Sequence, residues 1–347
     1  MSAEKHLLPP LVRRIGLRLG AALPALFCVI LFTFIMMRVL PGDPAVYFAS
    51  GPNAGQAEIQ ELRHKMGLDA PMPVQLLHYL ENLATGDLGR SLTTGQSVAQ
   101  DMHERLPASL ELTLTALAFS LLISLPLGLT AAWWSGSKYD QFVRAFCSAC
   151  FCIPPFVSGI LLVYVFYYWL GVAPDPTGRI NIFLPQPPRL TGLLLIDSAL
   201  AGDWTAWHEA AGQLVLPAMT MALFVIAPLT RMTRAAVISV LGADYIRTAR
   251  AMGLPTWRIM IVYTLRNALM PVLTTVGIVF STMMGANVLV EKIFSWPGVA
   301  SYALDALVSS DYAPVQGFIL LMACLFILVN LVIDLLLGVL DPRVSVE

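Results

Sequence analysis

Charge is scarce in this chain. Charged residues make up 12% of the 347 positions, about half the share in ordinary soluble domains. A water-facing surface needs such residues, so a soluble enzyme and a disordered chain of this length are both excluded. The formal net charge is −1, which leaves no basic footprint for nucleic acid. No G-x-x-x-x-G-K-[ST] run occurs, so the chain carries no nucleotide-binding loop of the P-loop kind. The five histidines (His6, His64, His78, His103 and His208) all fall outside the apolar runs described below. That placement argues against a Ser–His protease or a His-ligated metal site at membrane depth. Ion-coupled carriers place ionisable groups within their spans, and here Asp334, near one end of the last run, is the sole candidate. The cysteines Cys28, Cys147, Cys150, Cys152 and Cys324 all sit in apolar runs; Cys147 and Cys150 share a helix face that a redox or metal pair could use, although thiols in such helices usually act as small hydrophobes.

What the chain has in quantity is apolar side chains, 57% of the total. Runs of 18 or more such residues match a hydrocarbon core of about 30 Å. Six can be counted: Leu19–Met37, one within Leu112–Ser137, one from Ala145 to Leu170, one within Ala210–Thr230, one within Asn267–Val290, and Ala313–Ile333. The expectation is an all-α membrane protein with six transmembrane helices. Lys5, Arg13, Arg14, Arg18, Lys138, Arg144, Arg343 and the six arginines between Arg231 and Arg266 fall on one side of such a chain. By the positive-inside rule that side, with both termini, is cytoplasmic. Segments 39–108, 171–209 and 292–312 then face outward. Segment 39–108 reads as a small external cap between helices 1 and 2, with amphipathic patterns at Gln56–Met66 and Val98–Arg105 around Gly86, Gly89 and Gly95. The remainder divides into a tail and first span (1–38), a membrane core (109–338) and a second tail (339–347).

The loop 231–270 is the most informative stretch. Six arginines would cost on the order of 15 kcal/mol or more at membrane depth, so this loop leaves the bilayer. Asp244–Met252 reads as a short helix with Asp244 as N-cap and Gly253 and Pro255 as its stop. Tyr245, Thr248, Ala249 and Met252 share one face of it, and Arg247 and Arg250 flank another. A second helix starts near Thr256 and runs through Pro271 into the fifth span. Thr274, Thr275, Ser281, Thr282 and Asn287 on that span are candidates to line a polar path, although helix–helix hydrogen bonding accounts for them almost as well.

The run Thr248-Ala249-Arg250-Ala251-Met252-Gly253, with Pro271 eighteen residues after the Gly, resembles the "EAA" loop of ABC-importer permeases. Arg247 stands where that motif carries its leading Glu. Leu40-Pro41-Gly42-Asp43-Pro44, Gly86-Asp87-Leu88-Gly89, Ile293-Phe294-Ser295-Trp296-Pro297-Gly298, Asp311-Tyr312 and Asp341-Pro342-Arg343 are similar to the peptide-transport branch. Leu190-Thr191-Gly192-Leu193-Leu194-Leu195-Ile196-Asp197 is similar to the first permease subunit of dipeptide importers; Gly298-Val299-Ala300-Ser301 departs from the pattern where a second Gly is usual. The resemblance implies a type I ABC importer permease fold in a bacterial inner membrane, with no catalysis by this chain. It implies a second homologous permease, two ATPase subunits and a periplasmic binding protein as partners. ATP and Mg²⁺ would be used by those partners, with no cofactor or metal on this chain. The contact with an ATPase would fall on Asp244, Tyr245, Arg247, Thr248, Ala249, Arg250, Met252 and Gly253. Related permeases serve nickel, glutathione and antimicrobial-peptide systems, and permease sequence separates these cargoes poorly.

Overall fold

A computed structural model describes residues 10–39, 55–65, 69–181, 184–185, 187–309 and 311–340. Lys5, Leu40–Pro44 and Asp341–Arg343 lie outside these residues. In chain order the helices are α1 (Pro10–Val39), α2 (Gln56–Lys65), α3 (Met72–Ala84), α4 (Val98–Trp133), α5 (Lys138–Cys152), α6 (Pro155–Leu162) and α7 (Leu194–Ala201). They continue with α8 (Trp204–Leu241), α9 (Asp244–Ala251), α10 (Arg266–Ile293), α11 (Val299–Val308) and α12 (Tyr312–Leu340). Two π-helical stretches, Val163–Trp169 and Ile259–Leu265, continue α6 and precede α10, the second opened by a single helical turn at Thr256–Arg258.

Among the described residues, four helical runs are long and apolar enough to cross a membrane: α4, α8, α12, and Thr256–Ile293, which contains α10. Proline lies inside α4, α8 and α10 (Pro107, Pro126, Pro217, Pro228, Pro271) without ending them. Membrane helices tolerate this because neighbours satisfy the freed carbonyls. The third expected span is not one straight helix. Its two halves, α5 and α6 with its π-continuation, meet at a bend of 97°. Pro154 and Pro155 cause the break: neither offers an N–H, and Pro154 excludes the helical conformation at Ile153, which is extended. In α1 the apolar stretch is Gly20–Met36. Val98–Arg105, expected as a separate cap helix, forms the opening turns of α4 instead.

The chain divides into two compact units, one of residues up to Arg105 with Tyr302–Leu331, the other of Leu106–Ser301 with the C-terminal remainder. In the first, the glycine-rich loop wraps a buried carboxylate. Asp311 Oδ2 accepts from Ser91 Oγ (2.7 Å), Leu92 N (2.7 Å) and Thr93 N (3.1 Å). Tyr302 donates to Asp101 (2.7 Å), and Val98, Met102 and Tyr302 form the core with Ala313 and Phe318 beside them.

The second unit is centred on α8. Leu112 and Ala116 of α4 pack with Leu214, Met221, Val225 and Leu229 of α8 and with Val279 and Met283 of α10. Lipid is as apolar as leucine, so close backbone approach and hydrogen bonds do the work that water exclusion does elsewhere. Gly128 supplies one such approach, since a Cβ there would collide with Thr233. On the Arg-rich side, Asp140 is fully buried and is gripped by Arg234 through Nε (2.7 Å) and a terminal nitrogen (2.8 Å). On the opposite side, Ser109 donates to buried Glu291, which also accepts from Ser301 N (2.7 Å). Ser301 Oγ bonds the Trp296 and Gly298 carbonyls. The turn after α10, where the sequence departs from the family pattern, is therefore closed by Ser301.

Candidate coupling site and path face

Of the six arginines, Arg231 and Arg234 lie on the last turns of α8, Arg247 and Arg250 on α9, Arg258 just after it, and Arg266 opens α10. The N-cap of α9 is Ala243, not Asp244 as the sequence suggested. Asp244 is the first helical residue, makes no side-chain cap bond, and lies 3.4 Å from Arg247 at full exposure. It still favours the positive end of the helix dipole. The C-terminal stop is as expected and can be specified further. Leu254 N bonds Ala249 O (3.2 Å), Gly253 N bonds Arg250 O (3.0 Å), and Gly253 has φ +70°. This is a Schellman motif, and the left-handed residue it requires is the glycine.

Two side chains seat the helix. Ile246 and Ala249 are buried with Ile259, against Val240, Leu241, Leu254 and Tyr263. Ala249, expected on a common face with Tyr245, Thr248 and Met252, thus belongs to the anchoring side. Tyr245, Arg247, Thr248 and Met252 are exposed, and Trp257 is exposed just beyond the stop. The result is a short peg, about 12 Å long by helical rise, fastened along one side and presenting an aromatic, a cation, a hydroxyl and a thioether on the other. Arg250 leans away from that outer set, toward the ring of Trp133.

The five polar candidates of α10 separate into two faces. Asn287 is buried and donates to Thr113 Oγ1 of α4 (3.0 Å), while Thr275 is buried and bonds the Pro271 carbonyl. These two serve helix packing. Thr274 and Thr282 are exposed, and Ser281 is half-buried beside them. With Asn267, Pro271, Ile278, Gly285 and Leu289 the threonines form one exposed stripe at helical spacing.

Residues 124–346 match the family described as binding-protein-dependent transport system inner membrane component, and residues 8–113 match the N-terminal region described for the same components. The chain belongs to this family. It is 41% identical to the di/tripeptide transport system permease protein DppB of Pseudomonas aeruginosa, over 95% of this chain and 98% of that protein. It is 38% identical to the dipeptide transport system permease protein DppB of Escherichia coli K12, over 94% and 97%. A putative peptide transport system permease of Brucella suis is 36% identical over 95% and 98%.

As an inner-membrane transport component, the chain also carries residues that sequence reasoning passed over. Ile246 was missed as the peg's anchor, although its spacing of three from Ala249 is the ordinary signal of a buried face. Arg179 and Glu111 were missed altogether. They pair between the segment after α6 and α4, two residues past Ser109, and Arg179 also donates to Gly192 O (3.0 Å). No local pattern announces a pair separated by 68 positions.

Proposed function

We propose that this chain is one of two permease subunits of an ATP-driven dipeptide importer, with six spans (α1, α4, the bent α5–α6 pair, α8, α10 and α12) and both termini cytoplasmic. The names of the relatives support peptide cargo. The peg α9 carries the mechanistic part of the reading: it is fastened by Ile246 and Ala249 to the end of α8 and to the π-helical stretch before α10, and its outer side has no covering element among the described residues. It docks in a groove on a separate ATPase, with Tyr245, Arg247, Thr248 and Met252 as the contact. ATP and Mg²⁺ act on that partner, while this chain binds neither and catalyses nothing. A binding protein on the outer side delivers the cargo. Thr274, Ser281 and Thr282 face the path with the second permease opposite. Closure of the ATPases moves the peg, and α8 and α10 rock with it. Taking such an equilibrium from 1:99 to 99:1 needs about 5.5 kcal/mol, within reach of one docked helix with a few charged contacts.

The test is Gly253→Leu. No neighbour would meet the added Cβ, so its cost is the left-handed backbone, about 1–2 kcal/mol, placed at the base of the peg. The expected result is normal insertion with loss of uptake and of ATPase stimulation. Gly253→Asn, which tolerates that conformation, should retain most activity. Wild-type uptake by Gly253→Leu would remove the peg from the mechanism.

A further inference from the structure

A second helix reaches the peg besides the pair that flanks it in sequence. α4 ends at Trp133, and the Arg250 guanidinium carbon lies 5.4 Å from its ring centre, inside the range of a cation–π contact. Around this contact Trp133, Leu241, Arg250, Leu254, Thr256 and Ile259 line a cleft of ≈ 480 Å³. The end of α4 is thus joined to the peg across open space by a planar cation on an aromatic face. Trp134, the next residue, behaves differently. It is more than half exposed and stands edge-on to Tyr139 at 5.7 Å, as an aromatic at a membrane interface does.

The same helix is pinned about a third of the way along it, at Ala108–Glu111. Ser109 donates to Glu291 and accepts from Val299 N (2.9 Å), Trp296 donates to the Ala108 carbonyl (2.9 Å), and Glu111 accepts from Arg179 and from Leu195 N (2.7 Å). Ser109 and Trp133 are about 36 Å apart by helical rise. One helix therefore joins the peg to the polar knot that ties α10 to the segment before α7.

We infer that Trp133 is a positioning residue that carries displacement of the peg into α4, and through it to the Ser109–Glu291 knot on the opposite side of the membrane. The inference rests on the peg being the ATPase contact. It adds α4 to the helices that the peg drives, and it assigns Arg250 to transmission, with the partner surface left to Tyr245, Arg247, Thr248 and Met252.

The experiment uses the whole transporter, both permeases with the ATPases and binding protein, in proteoliposomes, and reads dipeptide moved per ATP hydrolysed. Trp133→Ala should lower that ratio about fivefold, within the range a cation–π contact supplies, while the ATPases still co-purify. Trp133→Phe should recover most of the loss, and Trp134→Ala should leave the ratio unchanged. Trp133→Ala combined with Arg250→Ala should be no worse than either alone, the mark of a shared contact. An unchanged ratio in Trp133→Ala, or losses that multiply in the double variant, would overturn the role. If Trp133→Ala does not accumulate, Trp133→Leu against Trp133→Phe decides the matter: uncoupling by Leu alone supports the ring–cation contact, and equal behaviour refutes it. Failure of the underlying reading has its own signature, retention of the ATPases when Tyr245 and Met252 are both replaced by alanine.

Discussion

At the scale of single residues, the buried carboxylates of the second unit show what charge does when a chain has so little of it. Asp140 has two cationic neighbours, and they are not equivalent. Arg234 binds it with two short bonds and is itself mostly covered, whereas Arg144 is 3.7 Å away and mostly exposed. Removing the charge of Asp140 leaves the Arg234 guanidinium with only the Ser135 hydroxyl (3.2 Å) and no counter-charge, so Asp140→Asn should cost about 3 kcal/mol. Arg144→Ala should cost less than about 0.5 kcal/mol. Thermal unfolding of the two variants in detergent would separate these outcomes.

Asp197 makes the same point through pH. Burial would raise its carboxyl, but bonds from the Thr191 hydroxyl (2.7 Å) and from the Thr191 (2.8 Å), Gly192 (2.9 Å) and Leu190 (3.3 Å) N–H groups outweigh it and hold it below the ordinary carboxylate value. A depressed folded value means that the carboxylate's contribution is complete above the unfolded value of about 3.9 and is lost as pH falls toward the folded one. The loop Leu190–Leu193 should therefore lose amide protection below about pH 4. Asp197→Asn should show weak protection at every pH. Hydrogen exchange across that range checks both.

At the scale of elements, legibility followed locality. The peg could be read because its signals are short-range: arginines too costly for lipid, then Gly253 and Pro255. Its inward face was misassigned by one residue, Ala249, because helical spacing gives faces but does not say which one a neighbour covers. The break at Pro154-Pro155 was visible as residues and yet was absorbed into an apolar run, since hydropathy is blind to direction. α7 could not be read at all. Its acid and serine, Asp197 and Ser198, are buried, while Ile196 and Leu200 are exposed, the reverse of what polarity implies, because the loop before it needs the carboxylate. The α4–α8 contact was equally silent, and it yields a sharp contrast. A Cβ on Gly128 would meet the Thr233 Cβ and the Thr230 carbonyl, atoms that cannot swing aside, while one on Gly285 meets nothing. Gly128→Ala should destabilise by about 2 kcal/mol, and Gly285→Ala should stabilise slightly, because alanine favours helix. Melting temperatures of the purified variants would show the difference.

At the scale of the whole molecule, the question is what the uncovered stripe of α10 faces. Two occupants are physically distinct. Acyl chains would surround Thr274 and Thr282 with hydrocarbon, and their hydroxyls, already bonded to the Met270 and Ile278 carbonyls, could tolerate it. A path shared with a second permease would instead bring water to them, since a zwitterionic peptide needs polar surroundings to pass. Water-borne thiol reagents read this directly, because their chemistry requires a hydrated thiolate. In a background lacking the five native cysteines, Thr274→Cys and Thr282→Cys should react with a membrane-impermeant reagent in the assembled transporter. Thr275→Cys, at a buried position, and Asn287→Cys, packed against α4, should not. The proposed rocking of α10 with the peg requires that labelling of Thr282→Cys also change when the ATPases are trapped with nucleotide. Silence at Thr274 and Thr282 in every state would assign the stripe to lipid and would place the path on another face of the molecule.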